Sequence, residues 1–232
     1  MPPGRKKGEL RVKQIIIAID GPAGAGKSTI AKQVAQKLGY VYIDTGAMYR
    51  AVTWALLQTG RPFTEEDATV MARNLPLVFR PHGGVNQVFV GGTNVTDAIR
   101  TLDVSQNVSK IAAIGGVRTA LVELQRKMGR QGGVVMDGRD IGTVVFPKAQ
   151  LKIFLTATVQ ERARRRYQEL TEKGMACDLK EMEKRIAERD ALDENREISP
   201  LRCADDAVYL DSTSLSIPEV VAKILELAGK AA

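Results

Sequence analysis

Apolar residues come along this chain in two textures. Short apolar runs, Ile15 to Ile19, Tyr40 to Ile43, Gly133 to Met136, Leu151 to Leu155 (interrupted by Lys152) and Ala207 to Leu210, have the length of buried strands. Between them the spacing changes to three and four: Ile30, Val34 and Leu38 predict a helix from Lys27 that Gly39 stops. Further helical patterns cover about 47–57, 65–74, 117–128, 159–173, 179–193 and a last one to Leu227. Thr64 with Asp67, and Ser216 with Glu219, have capping-box spacing, and Pro218 is tolerated in a first turn. The first strand, helix and second strand make a βαβ unit, so the economical fold is an α/β layer structure on a parallel sheet. From Leu77 to Val95 the pattern alternates and is broken by Gly83-Gly84 and Gly91-Gly92, which predicts a small inserted antiparallel meander.

The chemistry enters where the first strand ends. Gly21-Pro22-Ala23-Gly24-Ala25-Gly26-Lys27-Ser28-Thr29 fills the GxxxxGK[ST] phosphate-loop pattern between a strand and a helix. Glycines let backbone amides wrap a β-phosphate, Lys27 reaches the β- and γ-phosphates, and the Ser28 hydroxyl is placed to ligate Mg²⁺. The chain is therefore read as binding ATP or a similar triphosphate. The guanine-reading NKxD and switch DxxG patterns are both absent, which argues against a GTPase.

Composition narrows the setting. At 232 residues and 44% hydrophobic content, one domain with a modest insertion is expected. No run approaches the roughly 18 apolar residues of a membrane span, and the start lacks an apolar secretion-signal core. Cys177 and Cys203 form no CxxC pair, so a cytoplasmic protein is expected. Residues 1–13 hold five cations against Glu9 alone, four of the chain's net +7, and read as a disordered basic tail rather than a nucleic-acid arm. The lone His82 lies in the inserted segment as a turn residue, and no Ser-His-Asp set or His/Cys metal cluster is visible.

Charged residues collect after the strands. Arg50, in Asp44-Thr45-Gly46-Ala47-Met48-Tyr49-Arg50, and Asp137-Gly138-Arg139-Asp140 both follow strand ends, where α/β proteins bind ligands. Arg50 is either aimed at an anion or a solvated helix residue. Asp137 can hold Mg²⁺ through its water shell, although the Asp-Gly-Arg-Asp run also suits a plain turn. Arg189, Asp193 and Arg196 share a face if their helix continues, and Arg162, Arg165 and Arg166 repeat that pattern upstream. Such clusters serve a mobile lid over a triphosphate, or equally a solvated salt-bridged face. A phosphate acceptor needs no strong general base, since its oxygen is already anionic, so positioning and charge stabilisation suffice.

The phosphate loop, Asp44 to Arg50, Asp137 to Pro147, Arg189-Asp190 with Asn195-Arg196, and Asp211-Ser212-Thr213 occur in one order. Together they resemble the bacterial cytidylate (CMP) kinase family over about Ile15 to Ala228. The resemblance implies a phosphate-loop nucleoside monophosphate kinase fold: core (about 14–60, 105–158 and 197–232), acceptor-binding insert (about 61–104) and helical lid (about 159–196). It implies Mg²⁺-dependent phosphoryl transfer from ATP to CMP or dCMP by a monomer. Ser109, Arg118 and Asp140 would read cytosine, Arg189 and Asp193 would hold the sugar, and Arg50, Arg139 and Arg196 would grip the acceptor phosphate. Thr45 stands where some members have Ser, which keeps the hydroxyl. Lys27, Asp137, Arg139, Arg162 and Arg166 form the expected catalytic set, and Asp211 to Ser214 a plausible edge of the adenine pocket. Rival readings are a kinase for AMP, UMP or a shikimate-like acceptor, and a nucleic-acid-dependent NTPase.

Overall fold

The computed structural model describes residues 14–82, 85–172, 174 and 176–232. The basic tail therefore lies outside the described residues. Five strands, β1 (Ile16–Asp20), β2 (Val41–Asp44), β6 (Val134–Gly138), β7 (Leu151–Thr156) and β8 (Val208–Asp211), form one sheet in the order β2-β6-β1-β7-β8. Every pairing in it is parallel. The expected βαβ unit is present, but β1 and β2 are not neighbours: both pair with β6, which the chain inserts between them.

The apolar runs follow from burial on both faces. Ile15, Ile17, Ile19, Tyr42 and Val135 point to one side, against α1 (Lys27–Leu38) and α8 (Ile217–Ala231). Ala18, Ile43, Val134 and Met136 point to the other, against α2 (Thr45–Leu57), α3 (Glu65–Asn74) and α5 (Gly115–Gly129). Alternate side chains thus enter different cores, and a polar residue is taken only where it finds a partner, as buried Lys152 of β7 does in Asp206. Local punctuation behaves as its chemistry dictates. Gly39 closes α1 at φ 66°, and both capping boxes form, Thr64 with Asp67 and Ser216 with Glu219.

The meander is a three-stranded antiparallel sheet of β3 (Leu77–His82), β4 (Val85–Val90) and β5 (Thr93–Asn94). Val88, Val95 and Ile99 pack it onto Ala47 and Ala51 of α2, which fixes the insert beside one end of the main sheet. His82 is the last residue of β3. Three features lie beyond the sequence reading: α4 (Leu102–Ala113), a short turn of 3₁₀ helix at Ala98–Arg100, and a π turn at Ile141–Val145. Two further helices, α6 (Val159–Glu172) and α7 (Leu179–Asn195), complete the chain. The expected continuous face from Arg189 to Arg196 needs correction, because Arg196 follows the last helical residue with an extended backbone (ψ 141°).

Candidate active site

The carboxyl ends of β1, β2 and β6 open onto one cleft of about 670 Å³, within the size range of small-molecule sites. The phosphate loop forms its floor. Gly21 sits at φ 149°, and a Cβ there would meet the Leu155 carbonyl oxygen at 1.9 Å, so the turn out of β1 excludes any side chain. Gly26 caps α1 at φ 83° with no side-chain hydrogen bond, and no acidic residue occupies the first turn. The N-terminal amides of α1 are thus left for an anion.

Lys27 is buried at the head of α1, and its Nζ donates to the Pro22 carbonyl at 2.6 Å. Burial, then Arg139, pulls its pKa well below the usual lysine value, while Asp137, Asp193 and Asp20 oppose that pull. Beside it, Ser28 Oγ donates to Asp137 Oδ2 at 2.8 Å and the Tyr42 hydroxyl donates to Oδ1 at 2.9 Å. Burial and the nearby Asp44 push Asp137 up to about 6, against Lys27 and these two hydrogen bonds. Thr45 Oγ1 donates to the Asp137 carbonyl at 2.7 Å, which ties α2 to the end of β6.

The opposite wall is cationic. Arg118 from α5 pairs with Asp140 while donating to the Ala112 carbonyl at 3.0 Å and lying 5.4 Å over the Tyr49 ring. Both partners are almost wholly buried, with side chains 3% and 6% exposed. Half-buried Ser109 on α4 lines the same wall. Arg139 Nε donates to Asp193 Oδ2 at 2.8 Å. Burial works to raise Asp193, but Arg139, Arg189 and Arg196 outweigh it and hold the carboxyl below its usual range. Arg196 stands 3.8 Å from Asp140 and 4.0 Å from Asp193, so it reaches the cleft from beyond the helix. Arg50 donates to Ser105 Oγ at 2.9 Å, and burial with the crowding of Arg189 lowers its pKa to about 10. Arg189 is lowered for the same first reason, burial, and next by Arg139.

The α6 arginines divide. Arg162 is buried and donates to the Ala157 carbonyl (2.8 Å) and the Ala23 carbonyl (2.9 Å), and it pairs with Asp190 of α7 at 2.6 Å. It ties α6 and α7 to the phosphate loop. Arg165 is held by Ser212 and Glu161, and Arg166 is exposed, 2.6 Å from Glu169. All of the expected catalytic and substrate residues line the one cleft. Of the phosphate loop, Gly21, Pro22 and Ala25 stand behind it, while Ala23, Gly24, Gly26, Lys27, Ser28 and Thr29 face it. Asp211 to Ser214 are not among its lining residues. Ser28, Asp137 and Asp44 offer a hydroxyl and two carboxylates, an oxygen-only set that suits a hard cation such as Mg²⁺.

Sequence reasoning missed Asp20, Tyr42, Arg100 and Asp190. Asp20 is a polar group at the end of an apolar run, and Tyr42 carries a hydroxyl inside one, which is the signal that could have found them. Arg100, from the insert, reaches Asp44 at 3.4 Å. Asp20 is 5% exposed, and burial pushes it up to about 6 against hydrogen bonds from Gly142 and Ile141. The native state therefore holds the Asp20 proton more tightly than the unfolded chain does, where an aspartate titrates near 3.9. That stabilisation is complete below about pH 4 and is lost as pH rises through 6. Between pH 4 and pH 7 the wild type should lose about 2 kcal/mol relative to Asp20→Asn, which cannot titrate. Denaturant unfolding at several pH values measures the difference, and parallel curves would contradict it.

A family model described as Cytidylate kinase matches residues 17–230. The cytidylate kinase of Exiguobacterium sibiricum is 56% identical over 220 residues, covering 94% of this chain and 98% of the relative. That of Streptococcus sanguinis is 54% identical over 223 residues, covering 94% and 98%. A crystal structure of an uncharacterized protein from Eubacterium ventriosum shares the fold at a TM-score of 0.51 and 13% identity, covering 94% of this chain and 99% of that one. The match runs through the phosphate loop, the insert and both Arg-rich helices, and on it the chain belongs to the cytidylate kinase family.

Proposed function

We propose that this chain transfers the γ-phosphoryl group of ATP to CMP or dCMP, giving ADP and the corresponding diphosphate. The observation that carries the reading is the buried Arg118–Asp140 pair, which faces the same cleft as the phosphate loop. Cytosine shows an amine donor beside two acceptors, so Asp140 accepts from the amine while Arg118 and Ser109 donate to N3 and O2. Uracil puts a carbonyl against the carboxylate instead. An unpaired buried polar group costs about 1–3 kcal/mol, enough to favour CMP over UMP by several-fold to over a hundredfold.

Arg189 and Asp193 hold the sugar, and Arg50, Arg139 and Arg196 hold the acceptor phosphate. Lys27 exchanges the Pro22 carbonyl for β- and γ-phosphate oxygens, and the amides of α1 cradle the β-phosphate. Ser28, and Asp137 through water, would hold Mg²⁺, which when bound with ATP neutralises charge on the triphosphate. Arg139, Arg162 and Arg166 add positive charge around the transferring group, and the lid (about 159–196) and insert (about 61–104) exclude water from it. Every group in this scheme comes from one chain, which supports a monomer. Among the described residues no helix is long and apolar enough to cross a membrane. In this reading the enzyme acts in the cytoplasm on small molecules, without a nucleic-acid partner.

ADP release with a panel of acceptors tests the reading. CMP and dCMP should be converted with kcat/KM at least about tenfold above UMP, AMP or shikimate. Production of no cytidine diphosphate from magnesium-ATP and CMP would overturn it.

A further inference from the structure

Asp20 is the last residue of β1, immediately before the phosphate loop, and its carboxylate leaves the strand sideways. Oδ1 accepts the Ile141 N–H at 2.8 Å and Oδ2 accepts the Gly142 N–H at 2.7 Å. These are the first two residues of the π turn, and a helical turn's first amides have no partner within it. The Asp140 carbonyl is that turn's first acceptor, taking the N–H groups of Val144 (2.9 Å) and Val145 (3.1 Å). A side chain 121 positions upstream thus caps the turn that Asp140 opens. Resting on the cytosine-reading role given above to Asp140, we propose that Asp20 is a positioning residue for acceptor recognition, setting the backbone from which Arg139 and Asp140 enter the cleft.

The two ends of this contact are not equally fixed. The Asp20 backbone is registered between Gly138 of β6 and Phe154 of β7, so the path into the donor loop survives loss of the carboxylate. The turn has no such strand neighbours: Arg126 of α5 donates to the Val144 and Val145 carbonyls at its far end, while at its start the Ile141 and Gly142 amides are taken by the Asp20 carboxylate. Space around the contact is tight: a Cβ on Gly142 would sit 3.3 Å from Asp20 Oδ2 and 3.1 Å from Lys152 Cδ. The backbone there is in a conformation open to alanine, so a Cβ would press on Lys152 and on the Asp20 carboxylate, each having to give by a few tenths of an ångström.

Asp20→Asn keeps the shape but turns an amide N–H₂ against one of the two N–H donors. Steady-state kinetics should show KM for CMP raised about tenfold, KM for ATP within about threefold of wild type, and the preference for CMP over UMP reduced. Gly142→Ala should give the same split in smaller measure, from the other side of the contact, and serves if Asp20→Asn does not fold. Unchanged KM values, or equal increases for both nucleotides, in the folded variants would overturn the proposal. Wild-type enzyme run alongside separates the questions, since failure of the wild type to convert CMP would refute the functional reading instead.

Discussion

Lys27→Ala should lower kcat about a thousandfold at saturating ATP and CMP, roughly 4 kcal/mol of transition-state stabilisation. The ammonium is the first side chain of α1, beneath the proposed phosphate site, and charge moves toward the β–γ bridge as the phosphoryl group leaves. Water that fills the gap is not preorganised and restores little. The fold should be indifferent or gain slightly. Burial already depresses the Lys27 pKa, which means that the native state holds the charge at a cost, and among the described residues the hydrogen bond lost is that to the Pro22 carbonyl. Turnover and a thermal melt on the same preparation check both halves. Near-normal turnover, or a melt lowered by many degrees, would refute the assignment.

The parts of the fold legible beforehand are those decided locally. Runs such as Ile15 to Ile19 carry no polar residue because both sheet faces are covered, and capping boxes act within one turn. Strand order is different, since nothing in Tyr40 to Ile43 states that β6 will lie between it and β1. Helix α4 was obscured by composition. Val104, Val108 and Ile111 have helical spacing, but Ser105, Asn107 and Ser109 among them favour competing local hydrogen bonds.

The candidate site divides the same way. Gly21 to Thr29 is legible because a phosphate loop draws all its chemistry from consecutive residues. Ser109 and Arg118 were marked by resemblance alone, because each meets the cleft from a different helix. Asp20 illustrates what no local pattern contains: its partners are two backbone amides far along the chain, and backbone leaves no signature in residue type. Arg162 shows the converse. Its charge was legible, yet its guanidinium lies against the Ala23 carbonyl and Asp190, so it also joins α6 and α7 to the loop.

Asp140→Ala should raise KM for CMP about a hundredfold while changing KM for ATP less than threefold, and should destabilise the protein by about 3–5 kcal/mol. The two effects have different origins. Removing the carboxylate leaves Arg118 charged, 3% exposed and facing Arg196 without the anion between them, which is an uncompensated buried charge. It also removes the acceptor proposed for the cytosine amine. Replacing both partners with apolar residues, Arg118→Met with Asp140→Leu, separates them: the fold should recover, since a buried ion pair is often no more stabilising than hydrophobic packing, while CMP binding should stay weak. Unfolding curves and binding titrations for both nucleotides on the single and double variants decide it. If the double variant regains CMP affinity along with stability, Asp140 supports the fold and does not read the base; if CMP and ATP weaken together in Asp140→Ala, the residue serves the whole cleft rather than its acceptor side.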